Sequence, residues 1–461
     1  MNQAHFVTFI YWIQILLVFL LISGPFRRKW FDLLNHSNNY WEKKRINNLW
    51  ACFIVIFVLL ISLAVGYYHT FERLIFSDVP LAMADAFEYF LAGGNPYMDP
   101  VVIHFPSQDV VAMGVYNYMP LDLIIYSVIY YIFHGMTEKL WVFWGNVIIM
   151  FIIAPILVKG FPNYSKTLLL SGLFIFSSFL LYDNGYLMLA FLIVALIIHF
   201  RVNHEIKYPL VVFVLTLGTL TKMYLAFAVV AYAWSYFGRN YGRWIFSVIT
   251  SILTTIIILI PFNIKEVINA TILFQSDIEN RSFFAQNQGG ILAVLDWLNL
   301  HDVSMIIVLV LFLLLLLTLK ILNWKSDNIF IVINATGLVF LPSIVHSFLF
   351  FPISLAVLLT LEQINMLKIN TQDAILQKSN LDSHNLAFNK GPAVFTGFWI
   401  LLMVYYGPNS TYFLLAYIMV IIGTLLTVNK NNFVGTLENS MKCLPLYKKR
   451  VKNVENLSTN V

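Results

Sequence analysis

Apolar positions in this chain come in unbroken runs, not in stripes. Long runs occupy residues 6–24, 49–68, 138–158, 245–262 and 304–323, and shorter ones 120–134, 167–182, 185–200, 209–237, 328–341, 347–361, 393–409 and 411–428. A surface helix of a soluble domain repeats its apolar residues every three or four positions. Here whole segments are apolar, and about 20 such residues suffice to cross a bilayer. The pattern predicts an all-α polytopic membrane protein, a helical bundle of about 12–14 transmembrane helices. The 29-residue stretch 209–237 is long enough to be two half-helices.

Composition agrees with that class: 60% of the 461 residues are hydrophobic, 11% are charged and the mean hydropathy is +0.78. No soluble domain buries so much hydrocarbon. The first run has no Lys or Arg before it and no small-residue cleavage motif after it, so it reads as a true helix and not a cleaved leader.

The net charge of +5 does not point to nucleic acid, because the basic residues sit beside apolar runs and not along a groove. That is the positive-inside pattern. Arg27, Arg28, Lys29, Lys43, Lys44 and Arg45 place the 25–48 loop in the cytoplasm, and Lys442, Lys448, Lys449, Arg450 and Lys452 place the tail after 429 there too. The 69–119 loop carries Glu72, Asp78, Asp85, Glu88, Asp99 and Asp109 against Arg73, and with the acidic 263–303 loop it is expected on the outer face. The N-terminus is then outside. One conflict remains: if every short segment between 120 and 237 crosses, Arg239 and Arg243 fall outside, so one of them is predicted to be re-entrant or to lie along the surface.

Three regions follow: an extra helix and basic loop at 1–48, a membrane module at 49–362, and a loop, two helices and basic tail at 363–461. Cys52 and Cys443 are expected at different depths, so no disulfide framework is expected. The chain has no P-loop, dinucleotide fingerprint, CxxC or HExxH, which leaves nucleotide hydrolysis and zinc-peptidase chemistry without support. It also has no evident internal repeat, which weakens a transporter of the inverted-repeat kind.

Candidate chemistry begins in the acidic outer loop, LAMADAFEYFLAGGNPY. Residues 81–92 lack Gly and Pro and read as a short helix stopped by Gly93 and Gly94, with Asp85, Glu88 and Tyr89 on one face. Such a carboxylate could take a proton from a hydroxyl or, with Asp183, hold a divalent cation such as Mg or Mn; no cofactor is certain. The same spacing fits a solvated acidic helix face. Asn95, Pro96 and Tyr97 read as a turn, and Tyr118, Met119 and Pro120 as the start of the next helix. Tyr97, Tyr116 and Tyr118 also fit an interfacial aromatic belt.

Ionisable residues inside apolar sequence are costly and tend to face a bundle interior or a wet cavity. Three occur: Asp183 in LLYDNGYLML, Lys222 in LGTLTKMYLAF and His346 in LPSIVHSFLFF. Lys222 asks for an anion, for which a lipid phosphate is suited, or else it snorkels from a helix kink. Asp183 with Asn184 fits a capping turn as well as a catalytic one, and His346 fits a satisfied core histidine. In the second outer loop Arg281, Asn287 and Gln288 could meet a phosphate or sugar hydroxyls, or form a plain polar loop.

In order along the chain, Asp85 with Tyr89, GNPY at 94–97, Tyr118 with Pro120 and Leu121, the DNG turn at 183–185, Lys222 with Tyr224, and PS..H at 342–346 resemble the polytopic glycosyltransferases of the GT-C superfamily. The likeness is in particular to its polyprenol-phosphate mannosyltransferase-like group and, more loosely, to GPI mannosyltransferase I. It covers about residues 49–362. The resemblance implies inverting transfer of a mannose-like hexose from a polyprenyl-phosphate sugar to a glycan or glycolipid acceptor at the outer or lumenal face of a membrane. It carries Asp85 over as general base and Lys222 as a group near the donor phosphate; Arg281 is expected to join the phosphate contact, and Glu88, Tyr89, Asn95, Tyr97, Tyr118, Asp183, Asn184, Gln288 and His346 to line the substrates. This chain departs from the pattern at Met119, where relatives often have a second proline, and lacks the proline that usually follows the lysine. Richness in Asn, Ile, Lys and Phe, short loops and few cysteines suggest a bacterial plasma membrane. A polymerase or ligase using a diphosphate-linked glycan, and a lipid or solute transporter, are the competing classes.

Overall fold

The computed structural model describes residues 83–105, 110–114, 116, 118–135, 141–160, 185–273 and 304–321, with short pieces at 326, 329–330 and 333–334. Helices α1 (Ala84–Leu91), α2 (Pro120–Phe133), α3 (Trp141–Gly160), α4 (Gly185–Arg201), α5 (Lys207–Thr219), α6 (Ala226–Tyr236), α7 (Tyr241–Leu259), α8 (Ile264–Ile268) and α9 (Ser304–Ile321) dominate. The all-α expectation needs one correction. Strands β1 (Val101–Phe105) and β2 (Val110–Gly114) pair antiparallel, from Val101 opposite Gly114 to Phe105 opposite Val110. Both are rich in β-branched residues, and the sequence between them is Pro-Ser-Gln-Asp, a turn composition.

Helix α4 packs against α3 and α5, α5 also packs against α7 and α6, and α2 lies against α1, α3 and α7. Where α1, α2 and α3 meet, the fully buried Trp141 is ringed by Phe87, Tyr130 and Tyr126 at 5.4, 5.2 and 6.2 Å between ring centroids. Edge-on aromatic pairs of this kind add about 0.5–1.5 kcal/mol each beyond area burial.

The 209–237 stretch forms two helices that fold back on each other. Tyr208, at the start of α5, lies 6.4 Å from Tyr232 and 5.8 Å from Phe237, at the end of α6. The two are therefore an antiparallel helical hairpin. With 13 and 11 residues they are about 20 and 16 Å long, shorter than the roughly 30 Å of bilayer hydrocarbon.

Local chemistry sets the bend. Thr219 donates its hydroxyl to the Leu215 carbonyl (3.0 Å) and Thr221 to Gly218 (2.6 Å), back-bonds that compete with helix continuation. Lys222 is then extended (φ −144°, ψ 129°), and a 3₁₀ turn over Met223–Leu225 leads into α6.

At the opposite end of the hairpin Arg243 forms a knot. It donates to both oxygens of Glu205 (2.8 and 2.7 Å) and to the Tyr236 carbonyl (3.1 Å), and its guanidinium lies 3.8 Å from the centre of the Tyr208 ring. Arg201, Lys207, Arg239 and Arg243 are thus gathered at the end of the molecule where α4 stops and α7 begins.

Among the described residues one helix, Tyr241–Leu259, is long and apolar enough to cross a membrane by itself, and several shorter apolar helices accompany it. Its outer face exposes Ile245, Phe246, Val248, Ile249, Ile252, Leu253, Ile256 and Ile257. Helix α9 likewise exposes Ile306, Leu309, Val310, Leu313, Leu314 and Leu317, while Phe312 packs on Phe227 of α6 at 5.5 Å.

Candidate functional site

The site is built from α1, the loop that follows it, the start of α2 and the tip of the helical hairpin. Helix α1 buries Ala86 and Phe87, leaves Asp85 half-buried and exposes Glu88 and Tyr89. It ends where Gly93 takes φ +92°, a conformation open to glycine, and Gly94 donates to the Tyr89 carbonyl at 2.9 Å.

The expected acidic face therefore divides by function. Glu88 accepts a hydrogen bond from the Tyr130 hydroxyl of α2, which docks α1 on the bundle. The Tyr89 hydroxyl donates to Asp99 at 2.7 Å, and its ring lies over Gly94, where a β-carbon would come within 2.3 Å of it. Asp85 lies within electrostatic reach of the Tyr130 hydroxyl. Hydrogen bonding to the Asp99 carboxylate raises the Tyr89 phenol above its ordinary pKa.

The NPY turn is a structural brace. The Asn95 side chain accepts from the Tyr97 amide (3.1 Å) and its carbonyl from the amides of Met98 and Asp99 (3.0 and 3.1 Å). Tyr116 donates its amide to the Pro96 carbonyl at 2.8 Å, and the Tyr97 hydroxyl donates to the Tyr118 carbonyl at 2.8 Å. Tyr97 and Tyr116 are 2% and 0% exposed, enclosed by protein and not spread along an interface as the belt alternative expects. Burial, and then the nearby Asp122, pushes both phenols well above their ordinary pKa.

Asp122 was missed by the sequence reading. It lies in the first turn of α2, directly after Pro120 and Leu121, is fully buried, and accepts the Tyr116 hydroxyl at 2.5 Å. An acid in the first helical turn has an ordinary explanation, which hid it. That position contributes about 0.3–1 kcal/mol, or about 2 when partly buried, and a hydrogen bond to a charged group about 1.5–3. Removing a carboxylate from water costs several kcal/mol. The usable signal was an acid inside PLDLIIY, the same kind of interruption that marked Asp183.

Lys222 joins this cluster at the hairpin tip. Its side chain is 5% exposed, and its ammonium lies 5.3 Å from the centre of the half-buried Tyr118 ring. Protein encloses it, which answers the snorkelling alternative. The Leu121 amide donates to the Leu220 carbonyl at 2.9 Å, so the segment carrying Asp122 is bonded directly to the segment carrying Lys222. A desolvated cation–ring contact of this kind is worth about 2 kcal/mol.

Tyr97, Asn95, Tyr118 and Lys222 are thus one connected structure, with Glu88 and Tyr89 on its outer rim. Arg281, Asp183, Asn184, Gln288 and His346 lie outside the described residues, as do both cysteines. Among the described residues no group of three or more His, Cys, Asp or Glu side chains is placed to hold a metal ion. No protein-family model matches the chain, and neither a curated protein nor a solved structure matches it.

Proposed function

We propose that this chain is an inverting hexosyltransferase of a bacterial plasma membrane, moving a mannose-like sugar from a polyprenyl phosphate to a lipid-linked or cell-envelope glycan at the outer face. The observation that carries the reading is Lys222: an ammonium enclosed at the tip of a helical hairpin, beside the Tyr118 ring and the start of α2, the helix whose Tyr130 lies near Asp85. A phosphate on a lipid is the anion such a buried cation suits.

The aliphatic faces of α7 and α9 support the membrane setting. The hairpin keeps Arg239 and Arg243 at the same end as Arg201 and Lys207. Because a returning segment leaves the parity of crossings unchanged, a cytoplasmic place for this basic end requires that one segment between 120 and 200 does not cross.

In the proposed reaction the acceptor hydroxyl oxygen attacks the anomeric carbon, its proton passes to Asp85, and the bond from that carbon to the phosphate oxygen breaks. The polyprenyl phosphate leaves with the electron pair, its charge met by Lys222 and Arg281. Metal assistance at Asp85 and Asp183 is not needed for this balance.

One observation favours a second reading. Two short helices meeting at an extended, polar tip are also what transporters use to build a binding site at depth. Proteoliposomes given labelled polyprenyl-phosphate hexose and an acceptor-lipid extract separate the classes. Label in the acceptor is the expected result. Label moved across the bilayer without transfer favours a transporter, and consumption of diphosphate-linked glycans alone favours a polymerase or ligase.

A further inference from the structure

The reaction above leaves Asp122 and Tyr116 unused, although both are fully buried and joined by a 2.5 Å hydrogen bond. Three bonds converge on the seven residues that contain them. Tyr116 donates its amide to Pro96, Tyr97 donates its hydroxyl to the Tyr118 carbonyl, and Leu121 donates its amide to Leu220 at the hairpin tip. The Tyr116–Asp122 bond closes the 116–122 segment on itself, spanning the Tyr118 carbonyl and the Leu121 amide that make the other contacts. A loose 116–122 segment would leave both the ring that faces the Lys222 ammonium and the backbone bond to the tip without support. A carboxylate accepts the Tyr116 hydroxyl more strongly than a neutral amide oxygen would. It is also opposite in charge to Lys222, on the segment of backbone bonded to the tip.

We propose that Asp122, held by Tyr116, is a positioning residue: it fixes the hairpin tip and so sets where Lys222 meets the phosphate of a lipid-linked donor. Its place in catalysis rests on the function proposed above, whereas the fixing of the tip does not. The two are separated by testing the tip without substrate. In full-length protein in detergent, with Cys52 and Cys443 changed to Ser, Lys222→Cys provides a thiol at the tip whose alkylation by iodoacetamide is timed. Adding Tyr116→Phe, which removes one hydroxyl and keeps the ring, is expected to speed alkylation about tenfold, the factor that loss of a typical hydrogen bond gives. Asp122→Asn is expected to do the same, and the pair together no more than either alone. Tyr126→Phe, which removes a buried hydroxyl bond to Asn146 in the same core but not at the tip, is expected to leave the rate unchanged.

Unchanged rates in both Tyr116→Phe and Asp122→Asn overturn the proposal, and so does an equal rise with Tyr126→Phe, which would mark general loosening. In the native-lysine protein, binding of sugar-free polyprenyl phosphate is expected to weaken about tenfold in Tyr116→Phe. If wild-type protein binds no polyprenyl phosphate while the alkylation pattern holds, the donor assignment fails and the positioning of the tip stands.

Discussion

Glu205 shows how a single side chain can matter at one pH and not at another. The hydrogen bond from Arg243 holds its carboxyl below the ordinary value of 4.5. A depressed carboxylate contributes stability above its unfolded pKa and loses it as pH falls through the folded one. The contribution is small because Glu205 is exposed and solvent-screened. Thermal unfolding in detergent is expected to show a larger drop in midpoint between about pH 5 and pH 3 for wild type than for Glu205→Gln. Equal drops would mean that Arg243 is held by Tyr208 and Tyr236 alone. The residue scale is also where sequence reading was weakest. Lys222 stood out because it interrupts apolar sequence and Asp85 because it lies in an acidic, glycine-broken segment, but Asp122 sat where acids are ordinary, at the start of a helix. Nothing in the spacing of Tyr97 and Tyr116 told a buried brace from an interfacial belt, since only the fold decides what covers a ring.

Elements were more legible than contacts. The glycine pair after α1, the proline that opens α2 and the length of 209–237 all mark real boundaries, because each depends on backbone geometry that a residue type imposes locally. The β1–β2 hairpin was passed over because its two valine-rich strands are short and fall within a loop defined by charge. The helical hairpin depends on a close approach at Gly218, where an added β-carbon would lie 2.3 Å from Leu225 Cδ1 and 3.0 Å from Phe191 Cβ. Alanine gains up to about 1 kcal/mol of helix propensity there, but overpacking a fixed neighbour costs about 1–3. The Phe191 β-carbon is anchored to the backbone of α4, so the steric cost is expected to win. Gly218→Ala should lower the unfolding midpoint, and an unchanged or raised midpoint would show that the tip packs more loosely than described.

For the whole molecule, the hydrophobic runs made the helical character legible, whereas the return of α5 and α6 became visible only in the fold. If the hairpin does not cross, single cysteines at Lys207 and Arg239 should react with an impermeant thiol reagent from the same side of sealed vesicles. Labelling from opposite sides would make 209–237 a single crossing and separate Arg239 and Arg243 from Arg201 and Lys207, against the hairpin.

The proposed function requires that the carboxylate of α1 and the ammonium of the hairpin tip serve one reaction. The most direct measurement is transfer of hexose from polyprenyl phosphate by purified wild type, Asp85→Asn and Lys222→Ala in the same proteoliposomes. Loss of a positioned base lowers turnover by about 10²–10⁴-fold, and loss of the phosphate contact is expected to reduce transfer by a comparable factor. The account predicts transfer by wild type and its near-abolition in both variants; full turnover in Asp85→Asn and Lys222→Ala would contradict it.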